Sequence, residues 1–154
     1  MFERVLVCLD GTRFGGQALD YAIEIAKRFS AEVVLIRVIT AATPEHPISL
    51  SAEVSEIAKD TAHLKDKRNV ETARRYLKTK LEQVTARGVK SSIHVVAGVP
   101  GKAIVQFCHQ ENVGLVVMMT HGKSGIKRAI LGSTTDEVIR ESGLPVLAIS
   151  PRPD

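Results

Sequence analysis

The chain contains no tryptophan, two tyrosines and four phenylalanines, so aromatic residues make up only 4% of its 154 residues. A stacking platform for single-stranded nucleic acid, which needs exposed rings beside a basic groove, is not built from so few. Small aliphatic side chains must fill the core instead. Cysteine is equally scarce: Cys8 and Cys108 are the only two, too few and too isolated for a disulfide scaffold or a zinc site of cysteine pairs. Reduced thiols in the cytosol are the expectation. Neither sign of charge dominates. Against 21 Lys and Arg stand 17 Asp and Glu, a net +4 in which acidic residues interrupt nearly every basic stretch, and this argues against a dedicated nucleic-acid surface. Long apolar runs are missing too. Residues 5–9 follow an early acid and are shorter than a signal-peptide core, while the nearly uncharged run 112–120 is well short of the roughly 20 residues that cross a bilayer. These features predict a cytoplasmic chain with no membrane span.

What is present describes a folded protein. Hydrophobic residues are 44% and charged residues 25% of the sequence, outside the composition of disordered chains. The length fits a single domain over residues 1–154, without repeats or low-complexity segments. Two kinds of segment alternate. Runs rich in β-branched residues at 5–9, 33–39, 92–96, 115–119 and 146–149 read as buried strands covered on both faces. Between them lie helical periods. Ala18, Leu19, Ala22, Ile23 and Ala26 share one face; Val70, Ala73, Leu77, Leu81 and Val84 share another, which ends near Gly88. Ala103, Ile104, Phe107 and Cys108 mark a third helix, and 134–141 a fourth. Strand followed by helix throughout predicts an α/β fold: one doubly wound, Rossmann-like sheet of five parallel strands with right-handed crossovers and helices on both faces, and the expected strand order is 3-2-1-4-5. The second crossover is irregular. Pro44 and Pro47 make 40–55 a surface loop, and a break near 66–69 is expected because one helix over 51–87 would be too long for the domain.

In such a sheet ligands bind beyond the carboxyl ends of the strands, where the strand order reverses. The first strand ends in Asp10-Gly11-Thr12, and the fourth runs into Thr120-His121-Gly122-Lys123-Ser124-Gly125, followed by Leu131-Gly132-Ser133 at the start of a helix. Glycines allow a backbone to approach an anion closely, and free amides at a helix start favour negative charge. Ser133 with Asp136 fits a capping box. The same features also occur in domains that bind nothing, so the residues leave both readings open. A Walker A loop is excluded, since Val117 stands where that motif needs its first glycine. No Gly-x-Ser-x-Gly elbow, metal-ligand spacing or catalytic set was found, and no residue is assigned to catalysis or to a metal. The isolated His121 and the basic Lys123, Lys127 and Arg128 fit a solvated loop.

Asp10 after the first strand, the segment Met118-Met-Thr-His-Gly-Lys-Ser-Gly-Ile-Lys-Arg-Ala-Ile-Leu-Gly-Ser133 and the closing Leu144-Pro-Val-Leu-Ala-Ile149 together resemble the universal stress protein family over essentially the whole chain. Nucleotide-binding members of that family carry Gly, two residues, Gly, nine residues, Gly, then Ser or Thr. This chain supplies Gly122, nine residues, Gly132 and Ser133, and has Met119 in place of the first glycine. The resemblance implies a cytoplasmic stress-response protein that binds an adenine nucleotide, ATP with or without Mg²⁺, as a regulatory ligand or a slowly hydrolysed one. By the same resemblance Leu9 and Asp10 line the adenosine end, Val38 contacts adenine and Met118 borders the pocket. Gly122, Gly132, Ser133, Thr134 and Thr135 surround the phosphates. A homodimer through the last strand is implied as well. Asp10 also suits a simple turn, and Val38 and Met118 suit ordinary core. Two other readings stand beside this one: a nucleotide-free interaction protein of the same fold, supported by Met119, and, less favoured, a related adenine-nucleotide hydrolase or transferase.

Overall fold

The computed structural model describes residues 1–40, 49–50, 61–120 and 131–152. The described elements run β1 (Arg4–Cys8), α1 (Gly15–Phe29), β2 (Glu32–Ile39), β3 (Ser49–Leu50), α2 (Thr61–Thr85), β4 (Ser91–Ala97), α3 (Pro100–Gln110), β5 (Leu115–Met119), α4 (Ser133–Glu141) and β6 (Val146–Ile149). In the sheet their order is β3-β4-β2-β1-β5-β6. All neighbours except β3 and β4 are parallel. The five strands read from the sequence therefore take the expected order 3-2-1-4-5.

β-Branched and Leu-rich strands settle between two helical layers because both of their faces are apolar. Val5, Leu6 and Val7 are each 0% exposed, and successive residues feed opposite cores. On one face Val5, Val7, Val33 and Leu35 meet Ala18, Ala22 and Ile23 of α1 and Ala73, Leu77 and Val84 of α2. On the other, Leu6, Val34, Ile36 and Val116 meet Ala103, Ile104 and Phe107 of α3 and Val138 of α4. Alanines along α1 let the helix lie close to the sheet. Cys8 and Cys108 pack as small apolar groups: burial pushes the Cys8 thiol far up, and the Cys108 thiol up to about 11.

Three expectations are corrected. Helix α2 runs without a break through 66–69, a 25-residue element of about 37 Å at ~1.5 Å per residue. Lys65, Asp66, Lys67, Arg68 and Asn69 include no Gly or Pro, so nothing in the local chemistry interrupts it. Within the loop expected at 40–55, Ser49 and Leu50 form β3, antiparallel to Val96 and Val95 of β4; residues 41–48 and 51–60 lie outside the described residues. Ser133 is not the cap of α4. Gly132 holds that position in extended geometry, its carbonyl accepting from the Asp136 amide at 3.0 Å, and no side chain caps the helix. Asp136 instead pairs with Arg140 at 2.7 Å, one turn along the same helix.

Candidate functional site

β1 lies between β2 and β5, so the strand order reverses beside it. Helix α1, which follows β1, packs on one face of the sheet, and α4, which follows β5, packs on the other. The helices that follow β1 and β5 thus lie on opposite faces of the sheet, and in a sheet of this kind that is where a ligand crevice is expected, at the strand ends. Those ends are level: Cys8 pairs in register with Ile36 of β2 and Met118 of β5.

On the β1 side the Leu9 amide donates to the Ile36 carbonyl at 2.9 Å, carrying the pairing past the strand, and Leu9 is 4% exposed. Asp10 is exposed. Its Oδ1 accepts from the Thr12 amide at 2.9 Å and the Thr12 hydroxyl at 2.7 Å. The carboxylate thus makes the local turn anticipated as the alternative role for this residue, and it does so through one oxygen. Val38, near the end of β2, is half-buried against the α3/α4 core.

On the β5 side Met118 turns into the α3/α4 core, and Met119 into the α1/α2 core, where it is 8% exposed. The Thr120 amide donates to the Ile149 carbonyl at 2.8 Å, and the Thr120 carbonyl accepts from the Gly132 amide at 2.9 Å. This last bond returns the chain to the strand end after residues 121–130. A Cβ on Gly132 would stand 2.9 Å from that same carbonyl oxygen, so the approach requires glycine. Ser133, Thr134 and Thr135 form the first turn of α4, and their amides have no intrahelical carbonyl to bond. The Thr135 hydroxyl is buried and donates to the Met119 carbonyl at 3.1 Å, so only the backbone of this residue is open to other partners. Gly122, His121, Lys123, Lys127 and Arg128 lie outside the described residues.

The fold therefore gathers Leu9, Asp10, Val38, Met118, Gly132, Ser133, Thr134 and Thr135 at one end of the sheet, on strands β1, β2 and β5 and the start of α4. The universal stress protein family model matches residues 1–150. The chain belongs to that family. Universal stress protein MJ0531 of Methanocaldococcus jannaschii is 31% identical over 154 residues, with 97% of this chain and 82% of that protein covered. The solved structure of protein MJ0577 superposes with a TM-score of 0.80 at 22% identity, covering 100% of this chain and 99% of that one. A universal stress protein crystallised in complex with cAMP gives 0.71 at 23% identity, with 98% and 99% covered. These two likenesses are to the fold.

Two residues of this universal stress protein that the sequence reading did not single out stand beside Asp10. Arg37 interrupts the apolar run of β2, and Tyr76 reaches across from α2 to the Thr12 carbonyl. The interruption was the available signal for Arg37. Tyr76 lies on the same helical face as the core residues around it and carried none. A cavity of about 430 Å³ elsewhere, lined by Gln17, Asp20, Tyr21, Glu24 and Arg152, includes none of the strand-end residues, and Arg87 pairs with both of its carboxylates, at 2.7 Å to Asp20 and 3.4 Å to Glu24. Among the described residues no three His, Cys, Asp or Glu side chains gather as a metal cluster, and no helix is long and apolar enough to cross a membrane.

Proposed function

We propose that this chain is a cytoplasmic, single-domain stress-response protein that binds an adenine nucleotide, ATP, at the β1–β5 crevice, as a regulatory ligand turned over slowly or not at all. The observation that carries the reading is the Gly132–Thr120 bond, which seats the start of α4 directly on the end of β5 at the point where the strand order reverses. The groups present suit the ligand. The first-turn amides of Ser133, Thr134 and Thr135 are donors for phosphate oxygens, and Gly132 leaves room for close approach. Asp136, the acid nearest them in sequence, is neutralised by Arg140. Exposed Asp10 suits ribose hydroxyls, Leu9 and Val38 offer apolar walls to an adenine, and Met118 borders them. Gly122 belongs to the phosphate set by its place in the family motif. The burial of Met119 in the α1/α2 core supports the reading that a methionine at the motif glycine is tolerated. The complex of a family member with cAMP supports the ligand class.

Mechanistically, the protein supplies orientation and fixed donors. A bound nucleotide that prefers one conformation of the protein shifts the population toward that conformation and changes the surface offered to a partner. Homodimerisation through β6 completes the proposal: β6 ends the sheet, and an edge strand offers unpaired backbone groups to a second copy about a two-fold axis.

Calorimetric titration with ATP and Mg²⁺ tests the reading, after chromatography of a denatured sample has verified that the protein carries no nucleotide. Saturation near one nucleotide per chain is expected. Absence of binding by the empty, folded protein overturns it in favour of a nucleotide-free interaction protein.

A further inference from the structure

The connection from β1 to α1, which presents Asp10, rests on side chains from two other elements. Arg37 and Val38 are neighbours on β2 and so project to opposite faces; Arg37 takes the α1/α2 side. Its guanidinium atoms lie 2.7 to 2.8 Å from where a Cβ on Gly11 would stand, and Gly11 has a φ of +83°. The guanidinium carbon is 5.3 Å from the centre of the Tyr76 ring, within range of a cation–π contact. Tyr76 in turn donates its hydroxyl to the Thr12 carbonyl at 3.4 Å, and the Tyr76 hydroxyl oxygen is 2.7 Å from where a Cβ on Gly15 would stand. Lys80, one turn further along α2, is 5.8 Å from the same ring. Among the described residues Arg37 forms no ion pair. Gly11 in the loop and Gly15 at the start of α1 are thus the places where side chains of β2 and α2 approach the connection, and the loop's own turn joins Asp10 to Thr12, the residue Tyr76 holds. Burial first, and then the charge of Asp10, push the Tyr76 hydroxyl above its ordinary range against the pull of Arg37, so it remains a donor at neutral pH.

We propose that Arg37 and Tyr76 are positioning residues for Asp10: the guanidinium beneath Gly11 and the hydroxyl on Thr12 clamp the turn from the α2 side and preset the carboxylate for the ribose hydroxyls of a bound nucleotide. The inference rests on the ribose role given to Asp10 above. An exposed carboxylate on a free loop loses conformational entropy when it engages a ligand, whereas a clamped one has already lost it. Neither positioning residue needs to touch the nucleotide.

The test compares ATP with dideoxy-ATP, which lacks both ribose hydroxyls, in the wild type and in Asp10→Ala, Tyr76→Phe and Arg37→Ala. ATP affinity falls about 3- to 10-fold in Tyr76→Phe, the range expected for one hydrogen bond, and falls in Arg37→Ala as well. Affinity for dideoxy-ATP stays at the wild-type value in both. In the nucleotide-free protein the Thr12 amide exchanges faster in the two variants than in the wild type. Equal losses for both nucleotides, or no loss in Tyr76→Phe, overturn the clamp while leaving the nucleotide site standing. A wild type that binds no ATP, or an Asp10→Ala variant that binds ATP and dideoxy-ATP as the wild type does, overturns the ribose reading and the clamp with it. Should Arg37→Ala fail to fold, Tyr76→Phe decides alone, since it keeps the ring and removes one oxygen.

Discussion

Glycines in this protein serve two separable purposes, and single substitutions tell them apart. At Gly143 the backbone has a φ of +67°, and an added Cβ would meet nothing within 4 Å. Gly143→Ala therefore introduces backbone strain alone, a loss of roughly 1 to 2 kcal/mol, with nucleotide affinity unchanged. At Gly132 the φ of −60° suits any residue. There the added methyl would meet the Thr120 carbonyl oxygen at 2.9 Å, and a backbone atom cannot swing aside as a side-chain tip does. Gly132→Ala must push α4 away from β5, so both the unfolding midpoint and ATP affinity fall. Thermal unfolding and titration of the two variants check this; equal ATP affinity in both would remove Gly132 from the site. His94 carries a second prediction at this scale. Its ring stacks edge-on against Phe107 at 4.9 Å, and burial lowers its pKa; Glu111 and Glu32 raise it and Arg4 lowers it, and the net shift is downward. A depressed folded pKa means that neutral His94 contributes stability fully above the unfolded value of 6.5, and that this contribution is lost as pH falls through the folded value. Between about pH 7.5 and about pH 5 the wild type should lose more unfolding free energy than His94→Gln. Parallel losses in the two proteins would refute the assignment.

At the scale of elements, the start of α4 depends on one buried bond. The Thr135 hydroxyl donates to the Met119 carbonyl at 3.1 Å and ties the helix to the strand end. Thr135→Val keeps the shape and removes the donor, and its expected cost is about 1 to 2 kcal/mol, the penalty for a buried carbonyl that loses its partner. Chemical denaturation measures it, and a Thr135→Ser variant close to wild type would assign the cost to the hydroxyl. No sequence pattern pointed to this bond, because the acceptor comes from another element and a threonine in a first turn also suits local capping. The capping box misled for a related reason. Gly132, Ser133, Thr134 and Thr135 all suit a helix start, and tertiary contact with Thr120 rather than side-chain chemistry decides which residue holds the cap. Helix α2 shows the opposite case. Its apolar face at Val70, Ala73, Leu77, Leu81 and Val84 and its end near Gly88 were legible from periodicity, yet an argument from domain size predicted a break that the local residues do not make.

Across the whole molecule the doubly wound parallel sheet was the most legible feature, because alternating buried strands and amphipathic helices leave few topologies once crossovers are right-handed, and the expected order 3-2-1-4-5 is the one found. The location of the crevice followed from that order. The clamp on Asp10 did not, since it joins residues 12, 37 and 76 through a side-chain geometry that no spacing encodes. The two ends of the sheet also differ in a way only the fold reveals. At one end the two-residue β3 runs antiparallel along β4, a short strand of the kind that blunts an edge. At the other, β6 pairs with β5, and among the described residues no strand covers its outer side. Val146, Leu147 and Ala148 in β6 are all part-exposed. An apolar, uncharged edge of this kind is disfavoured in an isolated monomer, and pairing with a second copy about a two-fold axis satisfies its backbone and covers its side chains together. The proposed dimer then makes unfolding a bimolecular equilibrium, so the midpoint of thermal unfolding should rise with protein concentration over the micromolar range. Sedimentation equilibrium should return two chains over the same range. A midpoint independent of concentration together with a one-chain mass would show that β6 stays unpaired in solution.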